Sequence, residues 1–150
     1  MSRPPFPPEG SQFTGPSKTL NDAHFLLFSG VTGDVHPSHY DVEYARKTRF
    51  GKPLAHGLLL ASLTALGASE ARERVDGFVL AEQGCRFVRP VVVGDTLQPH
   101  FVVERRWKEG HREFCRVGTS LRNQRGETVL EGFHVYRVLS GEDGKADRHG

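Results

Sequence analysis

The sequence predicts an α+β domain in which a single antiparallel sheet curls around one long apolar helix. Three observations carry that prediction. The stretch LLLASLTALGASEAR, beginning at Leu58, is apolar nearly all round a helical circumference. Beyond Asp76 the chain changes to a succession of strand-like segments separated by turn residues. Within those segments apolar and polar residues alternate, which gives the sheet a dry face that needs covering and a wet face toward solvent.

Size and charge narrow the function classes. At 150 residues, with 37% hydrophobic and 25% charged residues, the chain matches one globular domain with a single core. Its 20 Lys and Arg against 18 Asp and Glu leave a net charge of +2, and the basic residues are scattered, so no nucleic-acid partner is expected. Cys85 and Cys115 lie far apart without a CxxC pair, which suits a reducing compartment and argues against a disulfide frame or zinc finger. The proline-rich start, MSRPPFPPEGSQFTGPSK, lacks the apolar run of a signal peptide. The apolar run at 58–68 is far short of the ~20 residues that cross a bilayer. A cytoplasmic protein with no membrane partner is expected.

Taken in order, residues 1–15 form an extended arm that packs on the surface or on a partner subunit, 16–140 the domain, and 141–150 a disordered tail. Thr19 supplies an N-cap hydroxyl with Asp22 three residues later, opening a short helix through Phe25, Leu26 and Phe28 that Gly30 and Gly33 end. GDVHPSHYD then makes a rigid irregular loop, because Pro37 lacks an amide proton, and Asp41 caps a second short helix. Gly57 opens the long helix, whose Ala61, Ser62, Ala65, Gly67 and Ala68 permit close approach. Strands are expected at 78–80, 84–93, 97–107, 111–122 and 128–139, with turns at Gly94-Asp95, Glu109-Gly110 and Arg125-Gly126. Leu97, Phe101, Val103 and Trp107 should share the dry face. In the following strand Cys115, Val117 and Leu121 oppose Arg112, Arg116 and Arg122.

Candidate chemistry concentrates in the loop. Asp34, His36, His39 and Asp41 fall within eight positions, and a carboxylate paired with an imidazole, Asp34 with His39, can hold a water and move its proton. The plainer alternative is that Asp34 caps a turn and the histidines are solvated. His56-Gly57 stands at a helix N-terminus, where free amides and the helix dipole favour a developing oxyanion and a glycine lets a carbonyl approach; close packing is the alternative there. His36, His39 and His56 with Asp34 form a weakly spaced metal alternative, since Pro37 breaks the helix that HxxH would need. Arg49 and Lys52 flank the helix entrance, either as solvated charges or against a phosphate-bearing ligand.

The segment 28–62, FSGVTGDVHPSHYDVEYARKTRFGKPLAHGLLLAS, resembles the hydratase signature of the MaoC-like family, which includes the (R)-specific enoyl-CoA hydratases. The shared elements are TGD, then P-x-H-x-D, then A-x-x-x-x-F-G-x-P-x-x-HG running into an apolar helix. A second, weaker element is FVRPVVVGDTL at 87–97, and the likeness spans most of 19–139. The resemblance implies a hot-dog fold and a homodimer, or dimer of dimers, whose sheets join edge to edge. It implies water addition to, or removal from, the 2,3-double bond of an acyl-CoA thioester without metal or organic cofactor. Asp34 and His39 would be the catalytic dyad and Gly57 the oxyanion-hole donor, with His56 beside it in the oxyanion or substrate-binding site. One position departs: the family usually has Asn two residues after the catalytic Asp, where this chain has His36, an imidazole that would hydrogen-bond the loop or alter the dyad and the acyl pocket. Two other functions stay open on sequence, a hot-dog thioesterase and a non-catalytic acyl-CoA-binding module.

Overall fold

The computed structural model describes residues 7–69, 71–72 and 77–139; the 141–150 tail lies outside them. In chain order the elements are β1 (Gln12–Thr14), β2 (Lys18–Thr19), α1 (Asp22–Thr32), a 3-10 turn (Pro37–His39), α2 (Val42–Arg46), α3 (Gly57–Ser62), a second 3-10 turn (Leu66–Ala68), β3 (Phe78–Phe87), β4 (Thr96–Glu109), β5 (Arg112–Arg122) and β6 (Thr128–Val138). The sheet runs β1-β4-β5-β6-β3, antiparallel throughout, with β2 also paired to β4. Part of the sequence-defined arm is therefore sheet: Gln12–Thr14 pairs with β4, and Phe13 stacks on Phe101 at 5.3 Å.

The α+β class and the meander stand, and the turns carry Gly94, Gly110 and Gly126 at positive φ, as their placement required. The long helix does not form. α3 ends after six residues and the chain turns again through Leu66–Ala68. Hydroxyl side chains account for the break: Ser62 Oγ donates to the Leu59 carbonyl and Thr64 Oγ1 to the Ala61 carbonyl, both at 2.6 Å, while Ala65 adopts extended ψ. Leu59 and Leu60 are buried but Leu58 is 71% exposed, so the apolar circumference is only half used by the core. α1 is capped by Asn21, whose side chain accepts from the amides of Ala23 and His24, rather than by Thr19, which pairs with Thr96 in β2–β4. The strands expected at 78–80 and 84–93 are one strand, Phe78–Phe87, bulged between Leu80 and Glu82; residues 88–93 leave the sheet.

A bulge also moves Trp107. The register of β4 on β5 shifts between Val103 and Arg105, so Arg106 comes opposite buried Cys115 and Trp107 opposite Phe114, on which it stacks at 5.5 Å. Leu97, Phe101 and Val103 keep the dry face; Trp107 does not. Two apolar clusters fill the space between sheet and helices. Leu20, Phe25, Leu60, Leu97, Leu121 and Leu130 belong to the one beneath α1 and α3. Phe101, Val103, Val117, Tyr136 and Val138 belong to the other.

β6 and β3 approach closely at Gly132. A Cβ there would overlap the Gly84 carbonyl oxygen and stand 2.8 Å from Cys85 Cα, so β6 and β3 would have to part. Gly132→Ala should cost about 1–3 kcal/mol, as overpacking does, read as a lowered denaturant midpoint; an unchanged midpoint would show that the strands yield freely.

His134 is one of several buried polar groups. It is 4% exposed, its Nδ1 is 2.7 Å from the Tyr136 hydroxyl and its Nε2 3.2 Å from Thr64 Oγ1, tying the sheet to the end of α3. Burial holds its pKa below the ordinary histidine value. The unfolded chain therefore binds a proton that the folded chain refuses. Stability from this group is full above the unfolded pKa of about 6.5 and falls as pH drops toward the lowered folded value, by up to ~1.4 kcal/mol per pH unit. Melting temperature should decline between about pH 7 and pH 5, and His134→Gln should flatten that decline; a parallel decline in both proteins would assign it elsewhere.

Candidate active site

Three separately held segments converge. Asp34 follows the C-cap of α1, where Gly33 turns the chain at φ 77° and its amide donates to the Ser29 carbonyl. Asp34 Oδ1 accepts from the His36 amide at 3.3 Å, which fixes the carboxylate against its own loop. His36 caps the Pro37–His39 turn: its Nδ1 accepts from the Ser38 amide at 3.3 Å and lies 2.8 Å from Ser38 Oγ. The imidazole thus hydrogen-bonds the loop, one of the two consequences expected of it. Its ring stands 6.3 Å from that of His39 and edge-on to Tyr44.

His39 is placed by the strand-like stretch before α3. The Leu54 amide donates to the Ser38 carbonyl, and His39 Nδ1 lies 2.6 Å from the Leu54 carbonyl oxygen. That stretch is itself anchored, Ala55 to Val91 and Val93 to Pro53. A carbonyl only accepts, so neutral His39 carries its proton on Nδ1 and presents a bare Nε2 lone pair. Nε2 faces Asp34 Oδ2 across 3.7 Å, with the His39 side chain 12% exposed and that of Asp34 52%. The two sequence-paired residues are thereby brought together, one shielded and one open to solvent.

His56 and Gly57 adjoin them differently. His56 is buried at 2% exposure, its ring stacked on that of His39 with centroids 3.6 Å apart and planes at 17°. Burial, then the neighbouring His39, lowers its proton affinity. Gly57 is the first residue of α3, so its N–H has no acceptor within the helix. A Cβ at Gly57 would come within 3.2 Å of the Phe87 ring, so any larger residue would require that ring to shift by a few tenths of an ångström. Arg49 and Lys52 are exposed, Arg49 lying over the Phe50 ring at 4.7 Å.

Asp34, His39 and His56 each bring a donor atom within 4.8 Å of the others, the set that would hold a metal. The stacked rings do not suit one: lone pairs in parallel planes 3.6 Å apart run side by side and cannot both reach a point ~2.1 Å from each nitrogen. What the arrangement can do is hold a water. Two acceptors face each other across 3.7 Å with no proton between them, and a water molecule supplies one to each.

Sequence reasoning missed Ser29, the Leu54 carbonyl and Phe87. Ser29 had a signal: it falls four residues after Phe25 on the buried side of α1, and a polar residue on an apolar helix face calls for a partner. The partner is His56, at 3.0 Å. The Leu54 carbonyl had none, since main-chain acceptors carry no residue identity.

Comparison with known proteins adds a second line. The family model described as MaoC like domain matches residues 6–124. An (R)-specific enoyl-CoA hydratase of Rhodospirillum rubrum is 32% identical over 116 residues, 77% of this chain and 78% of that protein. A 3-hydroxybutyryl-CoA dehydratase of Methylorubrum extorquens is 29% identical over 130 residues, 84% of this chain and 78% of that protein. Among solved structures, the R-hydratase PhaJ1 of Pseudomonas aeruginosa superposes with a TM-score of 0.78 at 28% identity, covering 89% of this chain and 83% of that one. The (R)-hydratase of A. caviae involved in PHA biosynthesis gives 0.77 at 27% identity, covering 88% and 97%.

Proposed function

The chain belongs to the MaoC-like family and has its hot-dog fold, and from that premise we propose that it adds water to the 2,3-double bond of an acyl-CoA thioester, or removes it in reverse. The observation that carries this reading is the pair of acceptors, Asp34 Oδ2 and the bare Nε2 of His39, 3.7 Å apart and so close enough for one water beside them to donate to both. Water held there loses one proton to the pair as its oxygen bonds the β-carbon. The α-carbon needs one proton, so the pair ends each turnover in the state in which it began. Gly57 N–H receives the thioester oxygen, on which charge gathers during addition. Metal and organic cofactors have no part in these steps.

The working unit we propose is a homodimer joined edge to edge along β3, the terminal strand of the sheet. Its support is a set of bare apolar side chains close in the chain to Asp34 or Gly57, Val31 78% exposed, Val35 63% and Leu58 71%, together with Phe87, 52% exposed beside Gly57. Patches of this kind call for a partner. Sedimentation at twice the 16.7 kDa chain mass is expected; a monomer would overturn the dimer but leave the chemistry standing. Among the described residues no helix is long and apolar enough to cross a membrane.

Loss of crotonyl-CoA ultraviolet absorbance under the purified protein, abolished in Asp34→Asn and unchanged by chelator, tests the activity. Thiol release from saturated acyl-CoA, with enoyl-CoA untouched, would replace hydration by hydrolysis.

A further inference from the structure

His56 lies beneath the dyad at 2% exposure, and the hydration steps give it no proton to carry. Its Nε2 is 3.3 Å from the Asp34 carbonyl oxygen and 3.0 Å from Ser29 Oγ. The carbonyl only accepts, so a proton on Nε2 satisfies both neighbours. With the proton on Nδ1 instead, two lone pairs would face each other across 3.3 Å, and a buried N–H would lack an acceptor, because Nδ1 has no hydrogen-bond partner among the described residues. The ring is wedged from three sides: Phe25 meets it edge-on at 6.2 Å, Phe28 tilts against it at 5.0 Å, and His39 covers its face at 3.6 Å.

We infer that His56, anchored by Ser29, is the positioning residue of the dyad, its Nε2–H fixing the Asp34 main chain while its ring face seats His39. Asp34 and His39 belong to different segments, one after α1 and one in the Pro37–His39 turn, and a water bonded to both depends on their relative placement. His56 comes from a third segment and touches both. An apolar ring in its place would fill the space yet leave the Asp34 carbonyl without its donor. A histidine buried with an idle Nδ1 is a costly choice for packing alone, and the contact to Asp34 is what it secures. Neutrality matters as well: a second imidazolium stacked on His39 would oppose proton uptake there, and burial keeps the lower ring uncharged.

The inference rests on Asp34 and His39 being the reacting pair, so its test has one arm that needs turnover and one that does not. In the first, His56→Phe keeps a ring and loses the donor, and His56→Gln keeps a donor near the Nε2 position and loses the ring. His56→Phe should lower kcat for crotonyl-CoA on the order of 10²-fold, the effect of misplacing reacting groups, with KM changed by no more than about twofold. His56→Gln should recover part of that loss, and Ser29→Ala should lie between His56→Gln and wild type. Wild-type kcat in a folded His56→Phe overturns the inference, as does a loss confined to KM, which would make His56 a substrate-binding residue. In the second arm, nitrogen-15 NMR of the histidine rings should show His56 neutral with its proton on Nε2, and the same tautomer in Ser29→Ala, where the Asp34 carbonyl remains as acceptor. A proton on Nδ1 overturns the inference whether or not the protein turns over crotonyl-CoA, whereas an inactive wild type with the expected tautomer counts against the hydratase reading alone. Should His56→Phe fail to fold, Ser29→Ala and the tautomer decide.

Discussion

Asp34→Asn is expected to cut hydration of crotonyl-CoA by about 10²–10⁴-fold, the usual cost of removing one member of an acid–base pair, with no loss of stability. The stability half follows from exposure. The Asp34 side chain is 52% exposed, and an Asn oxygen can keep the bond from the His36 amide that orients it. The rate half follows from what the other atom becomes. Asn places an amide donor where Oδ2 faces His39, so the site has one acceptor for water instead of two and nothing on that side to take a proton. His39→Ala removes the opposite acceptor and should cost a similar factor. Because the two act on one water, the double variant should be no slower than the slower single one, as for residues that work as a unit. Losses that multiply would mean two independent roles, and wild-type rates in both single variants would remove the dyad.

The departure at His36 adds a control within the same loop. Its imidazole caps the turn that delivers His39, accepting from Ser38. Asn, the residue the family usually carries there, also caps helical turns well. His36→Asn in this chain should therefore leave the turn intact and activity little changed.

How much of this was legible in the sequence depends on which interaction decides each element. Alternation set the strands, so the meander and the dry face of Leu97, Phe101 and Val103 were readable. Trp107 was not, because one bulge residue between Val103 and Arg105 reverses every side chain beyond it, and a bulge leaves no mark in the pattern of apolar residues. The long helix failed for a related reason. Periodicity reports where apolar residues would face if the helix ran on, while Ser62 and Thr64 hydroxyls bonding back to main-chain carbonyls, with extended Ala65, decide that it stops. At the site, Asp34 and His39 were readable as a short constellation around a proline. Their support was not, apart from the signal at Ser29, because it is contributed by a main-chain atom and a ring face from another segment: the Leu54 carbonyl and the His56 ring.

Gly57→Pro offers the sharpest test of the oxyanion donor, because proline deletes one hydrogen-bond donor and the local backbone is already suited to it. Gly57 is the first helical residue of α3, the position at which proline is most readily accepted, since the missing N–H serves no intrahelical bond. His56 before it sits at φ −60° and ψ 135°, the extended region that a residue preceding proline prefers. The added ring atoms do meet Phe87, 3.2 Å from where a Cβ would stand. Gly57→Ala makes that same contact while keeping the N–H, so it isolates the steric share. Phe87 need give by only a few tenths of an ångström to admit a Cβ, which keeps that share small. The expected order is wild type, then Gly57→Ala with a modest loss, then Gly57→Pro with kcat lowered by about 10²–10³-fold, the cost of one oxyanion donor. Equal losses in the two variants would trace the effect to crowding at Phe87 and leave the thioester oxygen to another donor. A large gap between them, with melting temperatures alike, would assign the charge-stabilising role to the single amide at the start of α3.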